Sequence, residues 1–256
     1  MFQNHKYVKK TCFRYSYIVY VTGTKYERKI KIVVDSLTLK RKAKIKKMKK
    51  ACIHTVVIDN WFPELCALTL PLIQKWATNI GADFNLIHKA KFEGWPPNYE
   101  RFQIWEQGLG YLWNINIDAD FIVHPELEDV TVNDPAIVRA EASMHCDHFF
   151  YPNQYFLRDG RNIGMSDNFI LSSHWTHDVW TPLNLTYEEA SKHCIRDPRQ
   201  VSEFAVSLNI ARFGLKASGA VKDKSKLYHI QSTGSGISKE NILQIATNKI
   251  KEMDIK

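Results

Sequence analysis

The chain has 256 residues, 45% of them hydrophobic and 12% aromatic, and carries a formal net charge of +8. That length and apolar content can bury one large core or two modest ones, which excludes a peptide-sized module and a disordered chain. The charge is unevenly placed: residues 1–50 hold 16 Lys/Arg against 2 Asp/Glu, leaving 19 against 25 in the rest, so the net figure describes neither part.

Residues 1–47 read as a basic extension, densest over residues 40–50. Such a run is a solvated arm or, alternatively, a tether to nucleic acid or anionic lipid. Before it, residues 15–21 and 29–34 are β-prone and separated by Thr22-Gly23-Thr24, so they could pair as a hairpin. Met48-Lys49-Lys50, standing directly before the first good strand, looks like a protein start, and the expectation is that residues 1–47 lie outside the native product. No secretory signal opens the chain, and no stretch nears the roughly 20 apolar residues that span a bilayer. Cys12, Cys52, Cys66, Cys146 and Cys194 form no C-x-x-C pair, as expected of reduced thiols in a cytoplasmic protein.

Residues 48–256 alternate strand and helix. Residues 51–58 form a β-branched run closed by Asp59-Asn60, suited to a strand buried on both faces. A helix follows over 62–80, with Leu65, Leu68, Leu72, Ile73, Trp76 and Ile80 at helical spacing, Gly81 as terminator and Pro71 predicting a kink or break. Residues 84–88 give a second strand, 99–109 a helix after the Pro96-Pro97 loop, and 111–117 a third strand. The order β-α-β-α-β implies an α/β fold: a mostly parallel, Rossmann-like central sheet flanked by helices. Ligands of such sheets bind beyond the carboxyl ends of the strands.

After the third strand comes Asp118-Ala119-Asp120. If strand alternation continues, the two carboxylates project together and make a hard-oxygen seat for a divalent ion and phosphate oxygens. A lone D-x-D is also an ordinary surface turn, but here apolar runs, 115–117 and 121–123, flank it.

Residues 99–105, 116–123 and 227–234 together resemble the GT-A glycosyltransferases, in particular the branch with glycogenin and bacterial lipopolysaccharide glycosyltransferases. The resemblance implies transfer of a sugar from a nucleotide diphosphate donor, most readily a UDP-sugar, to a glycan or glycolipid acceptor. It also implies that Asp118, Asp120 and His229 hold Mn2+, with Mg2+ the alternative, and that Arg101 steadies the D-x-D carboxylates or the diphosphate. Val57, Asp59 and Asn60 would then approach base and ribose. Ile117, Asp118, Asn168, Gln231, Thr233 and Gly234 would contact the donor, and Asp167 and Glu203 are the candidate catalytic carboxylates. Inversion or retention stays open, with a lean toward retention from the His229 segment.

Plainer roles compete for these residues: a surface charge for Arg101, a satisfied core imidazole for His229, a turn before strand 169–173 for Asp167 and Asn168, and a helix start for Ser202 and Glu203. Tyr151, Tyr155 and Trp175 are acceptor platforms or core. Residues 238–254 read as an amphipathic helix with Ser238 as N-cap, docking on the core or, alternatively, peripherally on a membrane. The rival functions are a metal-dependent nucleotidyltransferase, whose usual Gly-rich basic loop is missing after residue 58, and a nucleic-acid-binding protein acting through the arm; no nucleic-acid partner is favoured.

Overall fold

In the computed structural model the described residues are 11–12, 15–16, 47–143, 164–194, 197–219, 223, 225–230 and 236–255. The chain divides into two compact units, Met1–Met48 and Lys49–Lys256. In the first, β1 (Thr11–Cys12) pairs antiparallel with β2 (Tyr15–Ser16). This is not the expected hairpin of 15–21 with 29–34; apart from Tyr15 and Ser16, those residues lie outside the described ones.

The second unit runs β3 (Lys49–Val56), α1 (Pro63–Asn79), β4 (Asp83–Ile87), a 3-10 segment (Pro97–Gln103), α2 (Ile104–Gln107), β5 (Tyr111–Ile117), β6 (Phe121–Val123), β7 (Ile137–Ser143), β8 (Gly164–Ser173), α3 (Tyr187–Ser191), α4 (Val201–Arg212), β9 (Lys216–Ser218), β10 (Leu227–His229) and α5 (Lys239–Glu252). Six strands form one sheet in the order β4-β3-β5-β8-β7-β9. β3 is parallel to β4 and β5, β7 is parallel to β9, and β8 runs antiparallel to both its neighbours. Five of the six strands therefore share a direction, which is the mostly parallel α/β sheet expected.

Alternation along the strands assigns the two faces. Ala51 and Ile53 of β3, Trp113, Ile115 and Ile117 of β5, and Phe169 and Leu171 of β8 pack with Ile73 and Trp76 of α1. Ile170 of β8 points the other way, into a layer with Phe102, Trp180 and Phe204. A third cluster joins Leu65 of α1, Ile122 of β6, Ile230, and Ile242 and Ala246 of α5.

Three local expectations are corrected. Of the kink or break expected at Pro71, the break does not occur: α1 runs on through it. Pro71 and Ala67 are both exposed, so water can replace the hydrogen bond that the Ala67 carbonyl forgoes. Residues 99–109 are mostly 3-10 rather than α-helical. Five consecutive residues, Tyr99 to Gln103, are buried there, more than one face of an α-helix can cover. Strand β8 begins at Gly164, not at 169, because its first residues pair with β7; Asp167 and Asn168 are strand residues rather than part of a turn.

The apolar face of α5 docks on the protein's own core, with Ser238 accepting the Asn241 amide as N-cap. Among the described residues no helix is long and apolar enough to cross a membrane.

Candidate active site

Asp118 follows the carboxyl end of β5, where its amide donates to the Asn168 carbonyl at 2.9 Å. The chain then turns, Phe121 N–H closing on the Asp118 carbonyl at 3.2 Å. Strand alternation therefore does not extend through Asp118-Ala119-Asp120; a turn presents the two carboxylates. Thr69 of α1 tacks this turn down by donating its hydroxyl to the Ala119 carbonyl at 2.5 Å.

The turn leads into β6, which pairs antiparallel with β10 and sets His229 opposite Phe121. Ile230 N–H donates to the Asp120 carbonyl at 3.0 Å, extending the ladder. The result is contact between residues far apart in sequence: His229 Nε2 lies 3.3 Å from Asp120 Oδ1. The imidazole stacks on Phe121, centroids 4.5 Å apart and planes 2° from parallel, and its Nδ1 lies 3.1 Å from Asn168 Nδ2.

Arg101 stands on the other side of Asp118. It is 2% exposed, so it is not a helix-surface charge. Its Nε donates to the Asn98 carbonyl at 2.7 Å, and its two terminal nitrogens lie 3.1 Å from Asp118 Oδ1 and 3.2 Å from Asp167 Oδ2. The guanidinium also donates to the Asp167 carbonyl, which accepts from Asn116 Nδ2 as well at 2.9 Å. Ser202 donates its hydroxyl to Asp167 Oδ2, and the N-cap of α4 is Gln200 rather than Ser202.

The electrostatics follow from many carboxylates around one guanidinium. Burial opposes the charge of Arg101, but Asp118, Asp167, Glu203 and Asp120 outweigh it and raise its pKa. Burial pushes the Asp118 carboxyl up to about 7; Arg101 pulls it down, and the like charges of Asp167 and Asp120 add to the rise. Burial also disfavours a charged His229, yet its hydrogen bond to Asp120 and the nearby carboxylates hold its pKa above the ordinary imidazole value.

Fit to a divalent cation can be judged from this donor set. Two ligands about 2.1 Å from an octahedral ion stand roughly 3.0 Å apart, close to the Asp120–His229 separation of 3.3 Å. Asp118 is turned toward Arg101, and among the described residues no three His, Cys, Asp or Glu side chains gather in a ready coordination shell. The residues thus supply one edge of a mixed O/N site, a second carboxylate, that of Asp118, beside it, and a surplus of negative charge that fits a divalent ion.

The other expected contacts are scattered. Val57 continues β3, its amide bonded to the Ile87 carbonyl at 2.9 Å, and Asp59 and Asn60 are exposed in left-handed conformations at φ 53° and 52°. Ile117 is wholly buried in the core, so only its backbone can face a ligand. Glu203 is buried in the first turn of α4 and acts on Arg101 through its charge. Gln231, Thr233, Gly234, Tyr151 and Tyr155 lie outside the described residues. Trp175 donates its amide to Ser173 Oγ at 3.0 Å at the far end of β8. Asn116, Thr69 and Phe121 were not singled out from sequence; the polar Asn116 within an apolar strand was the available signal. A 390 Å³ pocket lined by Cys52, His54, Asp83 and Tyr111 lies toward the opposite, amino-terminal ends of β4 and β5.

No family model and no curated protein matches this sequence. Among solved structures, the chain is similar to a glycosyltransferase involved in glycosylating the major capsid of PBCV-1, at 12% identity over 78% of this chain and 99% of that one, with a TM-score of 0.49. It is similar to the galactosyltransferase LgtC in complex with donor and acceptor sugar analogs, at 11% identity over 79% and 99%, with a TM-score of 0.41. A mutant of Drosophila β1,4-galactosyltransferase 7 complexed with manganese, UDP-Gal and xylobiose is similar at 13% identity over 77% and 80%, with a TM-score of 0.39. These three solved proteins are glycosyltransferases.

Proposed function

We propose that residues 48–256 form a glycosyltransferase that moves a sugar from a nucleoside diphosphate donor, with UDP as the favoured nucleotide, to a glycan or glycolipid acceptor. The observation that carries this reading is the convergence of Asp118, Asp120, His229 and Arg101 at the carboxyl edge of the sheet. A divalent cation, manganese before magnesium because one donor is nitrogen, would be held by Asp120 and His229 with Asp118 beside them. When bound, it supplies positive charge to the departing diphosphate.

The chain's own residues divide the remaining work. The donors of Arg101 are directed at Asn98, Asp118 and Asp167, which favours a role in holding the carboxylates over one in gripping the diphosphate. Asp167 has its Oδ2 already engaged by a guanidinium and a hydroxyl, so ordering the site suits it better than taking a proton from an acceptor. Val57, Asp59 and Asn60 stand beyond the end of β3, where the base and ribose would approach, and the segment containing Gln231, Thr233 and Gly234 follows His229 directly.

The test is a panel of nucleotide sugars assayed with Mn2+ for hydrolysis or transfer, with Asp120→Ala alongside. Turnover of one donor that depends on metal and on Asp120 is expected. If no donor is bound or turned over, or if the variant matches the parent, the reading fails.

A further inference from the structure

Among the described residues four non-glycine positions have left-handed backbone, and three of them fall between Asp59 and Phe62. Trp61 N–H closes on the Ile58 carbonyl at 3.1 Å, so Asp59 and Asn60, at φ 53° and 52°, are the central pair of a tight turn that calls for left-handed residues, which Asp and Asn tolerate. Phe62 is different. A bulky side chain disfavours its φ of 43° and ψ of 64°, and Pro63, which follows it, pushes its predecessor toward extended backbone. Glycine would take this conformation freely, yet the position holds a large aromatic side chain. The ring of Phe62 is buried, 7% exposed, in the cluster that joins Leu65 of α1, Ile122 of β6, Ile230, and Ile242 and Ala246 of α5. Lys239 Nζ, at the start of α5, stands 5.1 Å from the ring centroid. The Phe62 carbonyl accepts Cys66 N–H at 3.0 Å, the first hydrogen bond of α1. Ring and carbonyl are therefore both fixed, one by the cluster and one by the helix. Backbone strain of this kind persists only where the surroundings over-determine it, and it gathers at ligand clamps.

We infer that Phe62 is a positioning residue for the nucleotide: its buried ring pins the 58–61 turn to the α5 cluster, so that Asp59 and Asn60 are held beyond β3 where the base and ribose approach. The inference rests on the glycosyltransferase reading above. It gives α5 a task as well, since the helix that closes the cluster serves the donor site through Phe62 rather than by contact with the donor. The strained backbone is what makes the link direct. A glycine at 62 would leave the turn free to swing on its hinge, whereas the ring ties the turn and the helix into one body.

The experiment measures binding of UDP, with CDP, GDP and ADP alongside, to the full chain by calorimetry with Mn2+, well below the unfolding temperature of each variant. Phe62→Gly frees the backbone and removes the ring, and Phe62→Leu keeps apolar bulk in the same place. Leu65→Ala thins the same cluster from α1 and leaves Phe62 intact. The nucleotide is expected to bind at least about tenfold more weakly to Phe62→Gly, and within a few-fold of the parent to Phe62→Leu and Leu65→Ala. A residue that only filled the core would lower the unfolding temperature in both Phe62→Gly and Leu65→Ala and leave the affinity of the folded protein alone. Equal affinity in parent and Phe62→Gly, or equal weakening in Phe62→Gly and Leu65→Ala, therefore overturns the role of Phe62. If Phe62→Gly fails to fold, Ile242→Ala, which thins the cluster from α5, is expected to weaken the nucleotide by a smaller factor, and parental affinity there overturns the role equally. A parent that binds none of the four nucleotides overturns the donor reading itself, and the two failures are thereby told apart.

Discussion

Arg101 spans two strands of the sheet, reaching Asp118 after β5 at 3.1 Å and Asp167 in the antiparallel β8 at 3.2 Å. It is the organising cation of a buried acidic cluster, so its removal leaves carboxylates without their partner. Arg101→Met is expected to lower stability by about 3–5 kcal/mol, read from urea unfolding at pH 7. Arg101→Lys should recover only part of this, since an ammonium cannot reach both carboxylates and the Asn98 carbonyl as a planar fork does. A Met variant as stable as the parent would remove Arg101 from this structural role.

Asp120 offers a separation of fold from chemistry. Its backbone carbonyl serves the ladder by accepting Ile230 N–H, while its side chain faces His229. Asp120→Asn should therefore unfold at nearly the parental temperature and lose at least about 100-fold in turnover of whichever donor is accepted. Turnover within a few-fold of the parent at saturating Mn2+ would count against the side chain as a ligand.

His54 predicts an acid-side loss of stability. It is wholly buried, with Nε2 3.0 Å from Asn114 Oδ1 and Nδ1 3.0 Å from Asn85 Nδ2. Burial lowers its pKa from 6.5 to about 4. Because the folded value lies below the unfolded one, the neutral ring's contribution is fully present above pH 6.5 and lost as the pH falls toward 4. The loss amounts to roughly 3 kcal/mol. His54→Gln should flatten this part of the stability curve; urea midpoints of both proteins from pH 7 to 4 check it, and parallel slopes would contradict it.

Gly108 faces the same polar seam. A Cβ built there would stand 2.5 Å from Asn114 Oδ1, whereas one on Gly110 would meet nothing within 4 Å. Gly108→Ala should cost about 1–3 kcal/mol because Asn114 cannot move without disturbing His54, and Gly110→Ala should be far milder. Thermal unfolding of the pair measures the difference; equal effects would show that Asn114 yields freely.

A chain reduced to residues 48–256 should keep cooperative unfolding and activity, since among the described residues the buried clusters are built from residues beyond 48. Any nucleic-acid affinity of the full chain should fall steeply with salt and vanish from the shortened one. Loss of folding in the shortened chain would place part of the core within the basic arm.

The layered sheet is legible because apolar patterning reports burial: β3 is a continuous β-branched run, and β5 and α1 carry apolar residues at strand and helix spacing. What escaped was long-range or polar. The antiparallel strand β8 starts with Gly164-Met165-Ser166-Asp167-Asn168, too polar to read as sheet until β5 and β7 are seen on either side of it. The D-x-D pair could be noticed as residues, but its turn depends on Thr69, fifty positions earlier. Arg101 could be placed near the site by its position, although its burial follows from an unusual 3-10 segment that no spacing rule anticipates.

The short ladder of β6 and β10 has a consequence for the order in which the molecule is built. The D-x-D turn is synthesised more than a hundred residues before His229, and the imidazole is carried on a three-residue strand whose surroundings are closed by α5 near the end of the chain. So distant a pairing must wait for the intervening loops to close. A nascent chain can assemble the sheet and present its carboxylates while still lacking the imidazole. On the proposed function, competence to hold a cation arrives as a late event in folding, and proteolysis within residues 236–255 is expected to abolish donor turnover while leaving most of the sheet in place.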